Sequence, residues 1–450
     1  MTVKFDRRAL MFGAGTLPLL ATTATAQQKP AKNAARKARL APTPPMGWNS
    51  WNSFATTITE AQSRENAAIM ADKLLPSGYD IFTVDIQWYE PNATGYNYRP
   101  GAELTMDEFG RLWPAVNRFP SSANGAGFKP LADYVHSLGL KFGVHLMRGI
   151  PRLAYDRNLK VFGTNVRARD IGNPNSICTW NTDMYGVDMS KDGAQAYYNS
   201  VFKLFADWHI DFVKVDDLSR PYGNNWAEVE AIQKAIKASG RPMTLSLSPG
   251  ETDLKWAAHV AEHAQMWRIS DDFWDEWKLL HEQFKRLENW NPYRKSGAWP
   301  DADMLPLGML AMGNRQTRFT PDEQQTVMTL WSIARSPLIM GGDLRHLDAP
   351  TLALLTNPEV LRLNQHSHDN RPVSNDGKAV VWTARDDKGD YLALFNISNE
   401  PITISQPLKA LNLPTRIKAR NLWTGENLGE IDNALTTDLR PHASALYYLG

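Results

Sequence analysis

Charged side chains stand at the ends of apolar runs in four places. Asp85 closes "YDIFTVD", and Lys214, Asp216 and Asp217 close "DFVKVDD". Arg268, Asp271 and Asp272 close "QMWRISDD", and Asp301 and Asp303 sit in "AWPDADML". Trp51 follows "MGWNS", His145 lies inside "KFGVHLM" and Ser248 inside "MTLSLSPG". Charge taken into apolar surroundings is costly and is kept chiefly where it is used. Two carboxylates flanking a bond can supply the acid and the nucleophile of glycoside hydrolysis. Lys214 and Arg268 can bind hydroxyls and lower the pKa of neighbouring carboxylates.

Each of these residues also has a structural use. Asp217 and Asp271 could cap the helices that follow them, Asp301 could cap a turn after Pro300, and His145 could be a satisfied core histidine. No metal is expected at these strand ends, whose one histidine, His145, has no second histidine at HxH or HxxxH ligand spacing. No glycine-rich phosphate loop follows a strand. Cys178, the one cysteine, has no basic neighbour in sequence that would make it a nucleophile.

Something must bring these side chains together. Eight strand-like segments run near 46–51, 79–88, 141–149, 211–218, 243–250, 265–272, 298–305 and 337–344. Most are nearly continuous apolar runs, as in strands buried on both faces. Helical segments separate them. Thr59 with Gln62 forms a capping box, Ser190 precedes another helix, and Thr320, Pro321 and Glu323 give cap, first-turn proline and capping box. The pattern predicts an α/β fold, a (β/α)8 TIM barrel, with extra length in the loops after the second and third strands. Active sites in that fold lie at the carboxyl ends of the strands. A doubly wound open sheet is the alternative. After about residue 366 short strands alternate with the turn signals "NDG", "DDKG" and "TGEN", which predicts a small antiparallel β-sandwich.

The chain has 450 residues, a net charge of +1 and 22% charged residues. That balance suggests neither a nucleic acid nor an anionic membrane as partner. Arg7 and Arg8 precede a moderately apolar run ending in "ATA" at Ala26, which reads as an export signal of the twin-arginine type. The expected organisation is an export signal over 1–26, a basic lead-in over 27–42, a catalytic barrel over 43–365 and a β-domain over 366–450. An exported, periplasmic or secreted bacterial protein follows.

"PPMGWNSWNSF", "GYDIFTVDIQW", "GLKFGVH", "DFVKVDD", "WRISDDFWDEW", "WPDADML" and "MTLWSIARSPLIMGGDLRHL" resemble glycoside hydrolase family 27, the retaining α-galactosidases. The resemblance runs from about residue 40 to the end. It implies a barrel followed by an antiparallel β-domain, with Asp216 as nucleophile and Asp272 as acid/base. It also implies sugar contacts at Trp51, Asp85, Lys214, Arg268 and Asp303. Four positions depart from the family. Ile86 replaces the second of two aspartates that hold O4 and O6, and His145 replaces a tyrosine. Ser248 stands where α-galactosidases carry a glutamate and α-N-acetylgalactosaminidases a serine. Cys178 matches half of a family disulfide whose other half is Leu218 here.

The resulting expectation is a cofactor-free, metal-free retaining exo-glycosidase. It would release terminal α-D-galactosyl residues from oligosaccharides or polysaccharide side chains. The same mechanism on an α-N-acetylgalactosaminide, a β-L-arabinopyranoside or an isomaltosyl unit is the alternative within the class. A catalytically inactive sugar-binding protein and a metal-dependent barrel enzyme are the alternatives outside it.

Overall fold

A computed structural model describes residues 40–450. The export signal and most of the basic lead-in lie outside the described residues. Eight short strands carry the barrel: β1 (Met46–Asn49), β2 (Ile81–Val84), β3 (Lys141–Met147), β4 (Phe212–Asp216), β5 (Thr244–Leu247), β6 (Met266–Arg268), β7 (Trp299–Asp301) and β8 (Leu338–Met340). A principal helix follows each: α1 (Glu60–Lys73), α2 (Lys129–Ser137), α3 (Ala194–Asp207), α4 (Tyr222–Ser239), α5 (Ala257–His263), α6 (Trp277–Trp290), α7 (Pro321–Ala334) and α8 (Pro358–His366). The strands are parallel in the order β7-β6-β5-β4-β3-β2-β1-β8. A parallel bridge between Leu305 and Met340 joins the two edges. Among the described residues no helix is long and apolar enough to cross a membrane.

The barrel interior is filled in layers, as the two-residue side-chain period of a strand requires. Ile81, Phe212, Met266 and Ile339, from the four even-numbered strands, form one buried apolar layer. Small residues on the odd strands make room for it. A Cβ added to Gly143 would sit 2.8 Å from Thr83 Oγ1 and 3.0 Å from the Phe212 ring. Two residues further along each strand, the same inward face carries Thr83, Lys214 and Arg268.

The capping boxes read from sequence form as expected. The Thr59 and Thr320 side chains accept from the backbone of Gln62 and Glu323, whose own side chains reach back. Ser190 does not cap α3. Its hydroxyl bonds Asp188, and Gly193, at φ +87°, precedes the first turn. The long loops lie after β2 and β3, and the second folds into a small three-stranded sheet. Asp183 of that loop accepts from Gln87 Nε2 at 2.6 Å and Tyr89 OH at 2.9 Å, so the two loops hold each other over the barrel mouth.

The C-terminal strands are antiparallel: β9 (His368–Asn375), β10 (Ala379–Arg385), β11 (Asp390–Asn396), β12 (Ile402–Pro407), β13 (Arg416–Asn421), β14 (Asn427–Asp432), β15 (Ala434–Leu439) and β16 (Ser444–Leu449). Six form one sheet, and β12 with β15 forms a second. The larger sheet packs on α6 and α7. Phe284 meets Phe395 edge-on at 5.0 Å, and Trp423 Nε1 donates to Thr329 Oγ1 at 2.9 Å.

Candidate active site

At the carboxyl ends of the strands lies a cavity of about 250 Å³. Trp51, Asp85, His145, Lys214, Asp216, Ser248, Arg268, Asp272 and Asp303 all line it. The strand period explains much of the set. Ile81, Thr83 and Asp85 share one face of the β2 segment, and Phe212, Lys214 and Asp216 share one face of β4. The layer above the apolar plug is therefore polar and points up the barrel.

Asp85 is fully buried. Its Oδ2 accepts from Asn49 Nδ2 at 2.8 Å and Lys214 Nζ at 3.2 Å, and Oδ1 lies 2.6 Å from His145 Nδ1. Burial alone would raise its pKa, but the charges of His145 and Lys214, with hydrogen bonds from His145 and Asn49, hold it well below the usual carboxylate range. His145 lies between two carboxylates. Its Nε2 is 3.3 Å from Asp216 Oδ2, an ion-pair distance without hydrogen-bond alignment. Burial disfavours the charged ring, yet Asp85 and Asp216 outweigh burial and Lys214, and its pKa is raised. A ring facing carboxylates through both nitrogens is satisfied as the imidazolium. The core-histidine reading is thus replaced by one in which His145 joins two cavity aspartates.

Asp216 Oδ1 accepts the backbone N–H of Asp217 at 2.6 Å. Arg268, 2% exposed, forms an ion pair with Asp303 at 2.8 Å and donates through Nη1 and Nη2 to Asp272 Oδ1 at 3.4 Å. Asp303 also accepts the Phe273 N–H at 2.7 Å. Asp272 is half-exposed at the cavity mouth. Desolvation by the surrounding walls raises its pKa, Arg268 lowers it and Asp303 raises it further, with a net upward shift. A carboxyl in that state can hold a proton to donate. The Ser248 hydroxyl is buried in the cavity wall and has no hydrogen-bond partner among the described residues.

The structural readings divide. Asp301 does cap its turn, accepting the Asp303 N–H at 2.9 Å. Asp217 does not cap α4, which starts five residues later behind Pro221. It turns away from the cavity at φ +60° and pairs with Arg148 at 2.8 Å, which also pairs with Glu228. Asp271 does not cap α6 either; it pairs with Arg220 at the surface. Cys178 is a free, buried thiol, and burial pushes its pKa up to about 12.

Several lining residues were not read from the sequence. Tyr98 stacks on Trp51 at 6.0 Å, Tyr96 meets it edge-on at 5.7 Å, and Trp180 reaches in from the loop after β3. The "WNSW" motif was the one available signal for Asn49. Away from the strand ends the chain does carry two histidine pairs at ligand spacing, His259-x-x-x-His263 and His366-x-His368. Neither lines the cavity.

A family model described as alpha galactosidase A matches residues 43–188 and 183–366. One described as alpha galactosidase C-terminal beta sandwich domain matches 376–449. A solved β-L-arabinopyranosidase of family GH27 from Geobacillus stearothermophilus is 52% identical, with a TM-score of 0.90 over 91% of this chain and 97% of that one. An aspartate-to-alanine variant of that enzyme was solved with arabinose. A putative α-N-acetylgalactosaminidase from Bacillus halodurans is 47% identical, with a TM-score of 0.83 over 92% of this chain and 98% of that one. Alpha-galactosidase 2 of Arabidopsis thaliana is 28% identical, covering 88% of this chain and 86% of its own.

Proposed function

The chain belongs to glycoside hydrolase family 27, and from that premise we propose that it is a retaining exo-acting β-L-arabinopyranosidase. β-L-Arabinopyranose has the ring configuration of α-D-galactopyranose without the C6 hydroxymethyl group. The observation that carries the choice is Ile86. It is buried and apolar at the position where the resemblance places the aspartate that holds O4 and O6. Asp85 remains to read an axial O4, and a site with a placed polar partner discriminates strongly. Nothing polar stands at residue 86 for O6. The 52% identity to a β-L-arabinopyranosidase supports the same choice over the α-D-galactosyl residue expected from the sequence.

In this reading Asp216 attacks the anomeric carbon. The carbon–oxygen bond to the aglycone breaks, and Asp272 gives its proton to the departing oxygen. Asp272, now a carboxylate, then takes a proton from water, and the resulting hydroxide displaces Asp216 with a second inversion. His145 lies between Asp85 and Asp216 and holds both in place, and its positive charge favours the ionised form of Asp85. Arg268 and Lys214 hold hydroxyls and the developing negative charge. Export through the signal read at 1–26 belongs to the same proposal. Nitrophenyl β-L-arabinopyranoside and α-D-galactopyranoside, compared by kcat/KM with the product anomer followed by NMR, test it. The expected result is preference for the pentoside with β-L-arabinose appearing first. A preference for the galactoside overturns the substrate, and inversion overturns the mechanism.

A further inference from the structure

On the outer ring of helices, outside the cavity lining, Glu230 of α4 and His259 and His263 of α5 offer one ligand atom each, all within 4.8 Å of one another. We propose that these three residues form a zinc-binding site between α4 and α5, with water completing the coordination.

The argument starts from spacing. Residues four apart lie on one helix face, and the two imidazoles stack at 4.1 Å with planes 17° apart. The outer partners set the tautomers. His263 Nδ1 lies 2.8 Å from the His259 carbonyl, to which it can only donate, leaving Nε2 as an unprotonated donor atom for a cation. His259 Nδ1 lies 2.8 Å from Tyr222 OH, while its Nε2 faces Glu230 Oε1 at 3.4 Å. Ligating histidines characteristically make such a bond through the other ring nitrogen. Glu230 adds the carboxylate, with Lys234 on its second oxygen at 2.9 Å. Two imidazoles, one carboxylate and an open position are a zinc ligand set. Bonds of about 2.0–2.2 Å in a tetrahedron need donor atoms roughly 3.4 Å apart, so both rings must turn out of their stack, and the glutamate with them, to close the 4.8 Å span.

A second cluster, Asp133, His136 and His209, is the control that the fold itself provides. His136 Nε2 is committed to Asp211 at 2.6 Å, and His209 Nδ1 to Asp133 at 3.0 Å. Lys129 and Arg241 already neutralise those two carboxylates. His136 and His209 stand on separate segments and face separate carboxylates, without the i, i+4 pairing of His259 and His263, so that cluster is expected to take no zinc.

A zinc ion at the first site would tie α4 to α5, the helices after the strands that lead to Asp216 and Ser248. The test is calorimetric titration of the untagged enzyme with zinc chloride, paired with thermal melting. One ion is expected per chain, with a rise in Tm of a few degrees at about a hundredfold excess over Kd. His263→Gln and Glu230→Gln should each weaken binding at least tenfold and lose the thermal shift, with glycosidase activity unchanged because the site lies outside the cavity. His209→Gln should bind as the wild type does. No heat of binding at 100 μM zinc overturns the proposal, and so does binding that survives His263→Gln or disappears in His209→Gln.

Discussion

Ile86→Asp tests how the enzyme separates a pentopyranose from a hexopyranose. Ile86 is fully buried, so truncating and charging it loses a packed side chain, at a cost of about 2–5 kcal/mol if it resembles truncation to alanine. The new carboxylate would also stand next to Asp85, whose oxygens already accept from Asn49, Lys214, the Ile86 N–H and His145. Both effects reduce the amount of folded enzyme. Neither alters the ratio of kcat/KM for two substrates measured on one preparation, because the concentration cancels. What the ratio reads is the hydrogen bond from the galactoside O6 hydroxyl to the added carboxylate. A hydrogen bond to a charged group contributes about 1.5–3 kcal/mol, so the galactoside-to-arabinopyranoside ratio should rise about tenfold to a hundredfold. Thermal melting, with Ile86→Val as a folded control of similar shape, separates loss of fold from loss of preference. If Ile86→Asp folds and both substrates fall in equal proportion, residue 86 does not read C6 and the argument for the pentose fails.

Four further outcomes follow from the geometry. Asp216→Asn should lower kcat by at least about 10⁴-fold with Tm little changed; activity near wild type would move the nucleophile elsewhere. Asp272→Ala should lose about 10³-fold on substrates with a poor leaving group and far less on nitrophenyl glycosides, and the basic limb of its pH profile should vanish; equal losses would exclude Asp272 as the acid. His145→Asn should lower kcat/KM about tenfold to a hundredfold, because the cation between Asp85 and Asp216 is gone; an unchanged pH profile would show that the ring is neutral in the working enzyme. Asp301, buried among Asp303 and Arg268, has its pKa raised by burial from the usual 3.8 to about 7. A carboxyl that binds its proton more tightly when folded stabilises fully below pH about 4 and loses that contribution as pH rises through 7. Tm should therefore fall by about a few degrees between pH 5 and 8, and Asp301→Asn should flatten the slope.

The barrel was legible because its strands are continuous apolar runs and its helices begin with complete caps. Thr59 with Gln62 and Thr320 with Glu323 are local signals that need no tertiary context. The outer strands β14 and β15 were not legible. "NLGEID" is largely exposed, and "ALTTDL" buries only Leu435 and Leu439 among polar residues, so the apolar signal is weak in both and pairing with β13 and β12 decides their conformation. Tyr96, Tyr98 and Trp180 reach the cavity from loops, where no period fixes which way a side chain points. His259 and His263 lie on an outer helix, away from the strand ends where barrel chemistry is expected.

The adjacent aspartates 216 and 217 show where sequence parity decides and where it stops. Phe212 belongs to the plug inside the barrel, so Lys214 and Asp216 must point inward and Asp217 outward. The outward residue meets Arg148 instead of substrate. Parity likewise places Arg268 inside from Met266, and Asp85 inside from Ile81 and Thr83. It says nothing of Asp272 and Asp303, which lie beyond their strands. Those two are placed by Arg268, which reaches both, and by the Phe273 N–H that Asp303 accepts. The inward residues of the strands thus fix the floor of the cavity, whereas one arginine and the turn it organises place the acid. Removing Arg268 should accordingly disturb Asp272 and Asp303 together while leaving the Asp85–His145–Asp216 array in place.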